Sequence, residues 1–226
     1  MAHEFSKEEL RRPDEFVSFF QSIILKLEKN KSTFLISLVM LLVAAGGYIG
    51  WKSYQSSVDK TAAIDFEVLM EKIPTATSTQ ETEWKTFLDQ LNVFIEKHGK
   101  TSMGASAYLY KGKTLFTLKQ YDEAIKSYQV ASKKLSGPYV YLAQEGEALS
   151  QMQLGKWNEA EKILKFLSEK QNNPIRDFHL YNLALVQDEM GSKDLAMQTY
   201  EKIIKDFPDS TYVEKAKAHV GDVKVQ

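Results

Sequence analysis

Three stretches of the chain repeat one another at a fixed interval of 36 residues, and this interval restricts the fold more than any other feature of the sequence. After residue 100, GKTLFTLKQYDEAIKSYQVAS, EALSQMQLGKWNEAEKILKFLSE and ALVQDEMGSKDLAMQTYEKIIKD align. A small residue recurs at Ala124, Ala160 and Ala196, and a bulky one four positions later at Tyr128, Leu164 and Tyr200. Two columns stepping together mark stacked supersecondary units, because one such unit cannot bury its apolar face alone. Each unit reads helix, short turn, helix. The turns carry Gln120, Gly155 and Gly191, and the second helices open near Asp122, Asn158 and Ser192, residue types that favour capping. Alanine lets the two helices of a hairpin approach closely, and the bulky residue one turn later fills the gap to the next hairpin. Phe207-Pro208 then stops the last long helix, and Ser210 opens another.

The expected fold is all-α, a helical-hairpin solenoid preceded by a single apolar helix. Trp84, Phe87, Leu88, Leu91, Phe94 and Ile95 make a further periodic face over Trp84–Lys97, read as an opening or capping helix because terminal units of arrays are atypical. Residues 64–73 continue a membrane-proximal helix that Pro74 ends, and the polar stretch to Thr82 is a linker or turn.

A different physics governs residues 32–51, STFLISLVMLLVAAGGYIGW, which carry no charge. From Phe34 to Trp51 a helix would reach roughly 27 Å at about 1.5 Å per residue, enough to cross a hydrocarbon core. Tyr48 and Trp51 suit the headgroup level, and Lys31 and Lys52 bracket the run. A cleaved signal peptide would have a short basic head, whereas 33 mostly polar residues come first here. Lys26, Lys29 and Lys31, with Arg11 and Arg12 further out, outweigh Lys52 and Lys60, so the bias favours a cytoplasmic N-terminus and an exterior C-terminal domain. Ahead of the span, Phe16, Phe20, Ile23, Ile24 and Leu27 share one helical face, opposite Gln21, Lys26 and Glu28, with a start at Pro13, Asp14 and Glu15. That face suits either the inner membrane surface or a partner, or it extends the membrane helix. Gly46 and Gly50 form a GxxxG through which the span could pack on another helix. The resulting organisation is a cytoplasmic tail with an amphipathic helix at 1–33, a transmembrane helix at 34–51, and a juxtamembrane helix and linker at 52–82. The repeat domain, about three repeats plus opening and terminal helices, fills 83–226.

Composition removes several functions. Twenty-nine basic against 30 acidic residues give a net charge of −1, without the basic excess of a nucleic-acid binder. No cysteine is present, which excludes disulfides, thiolate zinc sites and a Cys nucleophile. A mean hydropathy of −0.34 describes the repeat region and conceals the apolar run. Gly112-Lys113-Thr114 and Gly99-Lys100-Thr101 lack the glycine a phosphate loop needs five residues earlier, where Ala107 and Phe94 stand. His3, His98, His179 and His219 are scattered, without the one-turn pairing of a metal site. No GxSxG elbow occurs, and the acidic pairs Asp122-Glu123 and Asp188-Glu189 read as helix starts or solvated faces. The expectation is no enzyme, no cofactor and no metal.

What remains is binding. In such a solenoid the first helix of each unit lines a concave surface, which places Leu109, Lys113, Phe116, Leu149, Met152, Tyr181, Leu185 and Asp188 on a candidate groove. Its mostly apolar character suits an extended peptide, an amphipathic helix or an unfolded segment.

The units resemble tetratricopeptide repeats. The first has Tyr108, Gly112, Tyr121, Ala124, Tyr128 and Ala131 where that family has its large and small residues. The second keeps Trp157 and Ala160 but has Ala148 at the glycine position and Leu167 where a small residue is usual; the third has Ala184, Ala196, Tyr200 and Pro208. The tail, single span, juxtamembrane helix and repeat exterior also resemble the ancillary subunit family of the bacterial Sec translocon, with Gly47-Tyr48-Ile49-Gly50-Trp51-Lys52-Ser53-Tyr54 as the closest local stretch. That second resemblance implies a single-pass inner-membrane protein with a periplasmic domain, whose partners are translocon subunits, periplasmic chaperones or unfolded client chains. A homo-oligomeric envelope-assembly scaffold is the alternative.

Overall fold

A computed structural model describes residues 18–19, 21–25, 30–75, 80–171 and 173–223. Among them every regular element is helical. The elements are α1 (Lys31–Met70), α2 (Glu81–His98), α3 (Ser102–Thr117), α4 (Tyr121–Lys134), α5 (Pro138–Gln153), α6 (Trp157–Glu169), α7 (Arg176–Glu189), α8 (Lys193–Asp206) and α9 (Val213–Val223). Two units make up the chain, Met1–Ser57 and Val58–Gln226.

In the first unit, residues 21–25 are helical, with Ile23 half-buried and Ile24 exposed. The rest of the expected amphipathic face (Phe16, Phe20 and Leu27), the polar-side Lys26 and Glu28, and the start at Pro13–Glu15 lie outside the described residues, as does 76–79 of the linker. Helix α1 contains a window apolar enough to cross a membrane, and none of that window is buried. A Cβ added at Gly46 or Gly50 would meet open space.

In the second unit, the end of α1 contributes to the core. Leu69 is buried with Phe87, Leu91 and Phe94 of α2 and Ala107 of α3, and the ring of Phe66 lies 5.5 Å from that of Phe94. Asp65 accepts from Lys97 Nζ at 2.8 Å and lies 2.7 Å from His98 Nε2, and the bond from Lys97 foremost, then that with His98, holds its carboxyl below the ordinary carboxylate range. Three hairpins follow, α3/α4, α5/α6 and α7/α8, each helix packing on the next, and α9 closes the stack.

The two sequence columns are the packing columns. Ala124, Ala160 and Ala196 are fully or almost fully buried, and so are Tyr128, Leu164 and Tyr200. Each bulky residue reaches the next unit: Leu164 clusters with Leu183 and Val186 of α7, and Tyr200 with Val213 and Ala216 of α9. Tyr128 shows the tightest fit. A Cβ at Gly112 would stand 2.6 Å from its ring, and one at Gly146 only 2.3 Å from its Cζ, so two glycines on successive hairpins grip one aromatic ring. Gly146 receives the Tyr128 ring of the preceding hairpin, and Ala148, in the column of Gly112, is buried beside Ala160 and Leu164 of its own hairpin as that column implies.

The turns also keep the period, with a correction. The left-handed residue is Gly155 (φ 69°) and Gly191 (φ 76°) in the later hairpins, and 36 residues earlier it is Lys119 (φ 60°), not Gln120. Only glycine adopts this conformation without a Cβ penalty. Lys119→Gly is therefore expected to stabilise the chain by about 1 kcal/mol, read as a raised urea midpoint at unchanged m-value. The expected caps are not made: α4, α6 and α8 start after Gln120, Lys156 and Ser192, none of which makes a side-chain cap bond. Asp122 instead accepts from Lys156 Nζ of the neighbouring hairpin at 2.9 Å.

One column carries a local conflict. At positions 115, 151 and 187 stand Leu115, Gln151 and Gln187, all buried. Gln187 Oε1 accepts from the Thr199 hydroxyl at 2.8 Å. The residue equivalent to Thr199 in the second hairpin is Ile163, and Gln151 Oε1 is buried with no donor among the described residues. Gln151→Leu, restoring the residue of the first hairpin, is expected to raise stability by about 1 kcal/mol by removing that unpaired oxygen. Thermal unfolding followed by circular dichroism measures it.

Candidate functional site

A groove of about 430 Å³ opens on the repeat unit, walled by Tyr110, Lys113, Thr114, Phe116 and Thr117 of α3, by Leu142, Glu145, Gly146 and Leu149 of α5, and by Ile73 and Trp84 from before α3. Its floor is Tyr128, the ring held between Gly112 and Gly146. Glycine at both positions lets the ring seat, and Gly146 also lines the groove.

The groove brings together three of the expected residues, Lys113, Phe116 and Leu149. Lys113 is exposed, its ammonium 5.7 Å from the centroid of Tyr110, while Phe116 and Leu149 are half-buried. The other five lie elsewhere. Leu109 is buried in the core around Tyr128, because its position on α3 faces α4 and α5. Met152 packs on the core shared by α5, α6 and α7. Tyr181 is covered by the C-terminal segment, its ring stacked 5.0 Å from that of Tyr212. Asp188 is engaged internally, accepting from the Tyr200 hydroxyl and from Lys193 Nζ, both at 3.2 Å. Leu185 is half-buried and does not line the groove.

Sequence reasoning missed Glu145, the acid of the groove. Its side chain is 19% exposed, and its Oε2 lies 3.2 Å from Nε2 of His179, which is fully buried on α7. Behind His179 stands Asn173. Its Oδ1 accepts from the Ile175 N–H at 3.2 Å, and its Nδ2 donates to the Leu167 carbonyl at 3.0 Å and to His179 Nδ1 at 2.9 Å. This pinning sets the tautomer: Nδ1 accepts, so Nε2 carries the proton and donates to Glu145. Burial, reinforced by the Glu145 charge, pushes the Tyr128 hydroxyl well above its ordinary value. A signal for Glu145 was available, since the columns of the array place it between Leu109 and Tyr181.

A second groove, about 420 Å³, lies between the end of α1 and α2 and exposes Val68 and Val93 between Asp65, Lys72, Asp89 and Lys97. No group of three or more metal-ligating side chains is assembled among the described residues.

The model of the tetratricopeptide repeat-like domain matches residues 27–144, more than half of the chain. The chain belongs to that family. A tetratricopeptide repeat model separately matches residues 180–210, the third hairpin. Among solved structures, the chain is similar to the nearly identical tetratricopeptide-like repeats of a Podosopora anserina protein described as a kinesin light chain. That likeness has 13% identity and a TM-score of 0.55, over 70% of this chain and 82% of the other. A single-substitution variant of the same repeats gives 13% identity and a TM-score of 0.53, over 72% and 92%. At that identity the likeness concerns the tetratricopeptide-like fold alone. No curated protein matches the chain. Tetratricopeptide repeat-like arrays are protein–protein interaction modules, and the groove offers apolar side chains with one lysine and one acid.

Proposed function

We propose that this chain is a non-enzymatic, membrane-anchored adaptor that binds polypeptide segments in the groove over Tyr128. It works on the periplasmic face of the bacterial inner membrane, beside the Sec translocon and the periplasmic chaperones. The groove carries the reading: Lys113, Phe116 and Leu149 converge there on α3 and α5, in a fold of interaction modules. The apolar window of α1 and the lysines around it support anchoring with the N-terminus in the cytoplasm, and the stretch Gly47–Tyr54 supports the kinship with ancillary translocon subunits. Anchoring raises the effective concentration of the groove near emerging chains, so modest affinity suffices. Open space over Gly46 and Gly50 leaves that face of the span free to pack on another membrane helix.

Purification of the full chain in mild detergent after crosslinking tests this. Recovery of translocon or chaperone components, weakened by Phe116→Ser, is the expected result. Recovery of neither contradicts it, and crosslinks between copies of this chain alone would favour the homo-oligomeric scaffold.

A further inference from the structure

Two residues break the 36-residue pattern, and they meet. Equivalent positions 109, 145 and 181 hold Leu109, Glu145 and Tyr181, and positions 107, 143 and 179 hold Ala107, Ala143 and His179. The four regular members serve packing: Leu109, Ala107 and Ala143 are buried, and Tyr181 stacks on Tyr212. Glu145 and His179 instead put a carboxylate and an imidazole at packing positions, joined at 3.2 Å from α5 to α7 and backed by Asn173. An apolar pair would stack these hairpins without the desolvation that a largely buried carboxylate costs. The arrangement is thus explained by what Glu145 faces on its other side, the groove.

We infer that the groove selects polypeptide segments in which a Lys or Arg accompanies apolar side chains, the cation pairing with Glu145. This rests on the docking role proposed above. Glu145 is the sole acid among the residues lining the groove, and its hydrogen bond from His179 comes from an imidazole whose Nδ1 is occupied as an acceptor, hence from a neutral donor. A wholly apolar segment closing over Phe116, Leu142 and Leu149 would strip the remaining water from this carboxylate and offer no counter-charge. An acidic segment would add repulsion. A Lys or Arg replaces the lost water with a charge-assisted hydrogen bond, so the same group attracts one class of segment and rejects two. Lys113, the other charge lining the groove, forms no ion pair with Glu145 among the described residues, and its ammonium lies 5.7 Å from the centroid of the Tyr110 ring.

The test uses the full chain in nanodiscs and a fluorescein-labelled nonapeptide, Gly-Ser-Ala-Leu-Lys-Phe-Ala-Ser-Gly, with versions in which norleucine or Glu replaces the central Lys. Fluorescence anisotropy is expected to give the Lys peptide at least tenfold higher affinity than the norleucine peptide, and the Glu peptide the weakest binding. Glu145→Gln, whose amide oxygen still accepts from His179, is expected to erase the Lys preference while leaving norleucine binding at least as strong. A Lys preference that survives Glu145→Gln overturns the inference. If all three peptides bind the wild type alike and Phe116→Ser weakens them together, the docking role stands and the selection for a cation fails. If Phe116→Ser changes nothing, both fail. The peptide series on the wild type decides the charge selection even should Glu145→Gln not fold.

Discussion

Tyr128→Ala is expected to lower the unfolding free energy by about 4 kcal/mol, the cost of removing a large buried aromatic from a site that collapses poorly. The ring is 3% exposed and belongs to the core that joins α3, α4 and α5, so its loss opens a cavity between two hairpins. Collapse is resisted because helices on both sides are already at glycine-limited contact with the ring. Gly146→Ala attacks the same fit from the other side: with the ring fixed, the new methyl would sit 2.3 Å from Cζ, and about 3 kcal/mol should be lost to overpacking. The double variant separates this explanation from two unrelated defects. With the ring gone, the methyl at 146 enters empty space, so the pair should cost little more than Tyr128→Ala alone, a coupling of about 2–3 kcal/mol. Urea denaturation of the full chain in detergent, followed by circular dichroism, measures all four species. Strict additivity would show that the ring and Gly146 do not share one packing site.

The second large effect concerns the apolar window. Leu41 and Leu42 are both exposed on α1, and converting both to Lys should disfavour membrane insertion by about 6 kcal/mol, taking roughly 3 kcal/mol for each charge near the middle of a span. Alkaline carbonate extraction is then expected to leave the wild type in the membrane pellet and to release the variant. The repeat unit should still unfold cooperatively, since neither residue contributes to its core. Retention of the variant in the pellet would remove 34–51 as the anchor.

The period of 36 makes the hairpins and their packing columns legible in the sequence, because each column answers one repeated steric demand: a small residue where helices touch, a large one where hairpins meet. Details that depend on which neighbour fills a gap were not legible. Ala148, in the column of Gly112, packs on Ala160 and Leu164 of its own hairpin as the column implies, whereas the contact of Gly146 with Tyr128 of the preceding hairpin could not be read from the first unit, where Tyr110 stands at the equivalent position. Lys119 was hidden because a left-handed residue is easily read only when it is glycine. The groove was half legible. Lys113, Phe116 and Leu149 follow from helical spacing on the first helix of a hairpin, whereas Tyr181 and Asp188 were claimed by the terminal segment and α8, whose packing a repeat pattern does not encode. Glu145 escaped because a charged residue in a packing column resembles noise until His179, 34 residues away, is seen to face it.

Whether the groove holds polypeptide is tested most directly by contact. A photoreactive amino acid at Leu149, in the full chain within its membrane, is compared with the same group at the exposed Lys165 of α6 while a secretory precursor is arrested in the translocon. Crosslinks to the precursor, or to a translocon or chaperone subunit, from position 149 and not from 165 are the expected result; no crosslink from 149, or equal crosslinking from both, would contradict the assignment of the groove.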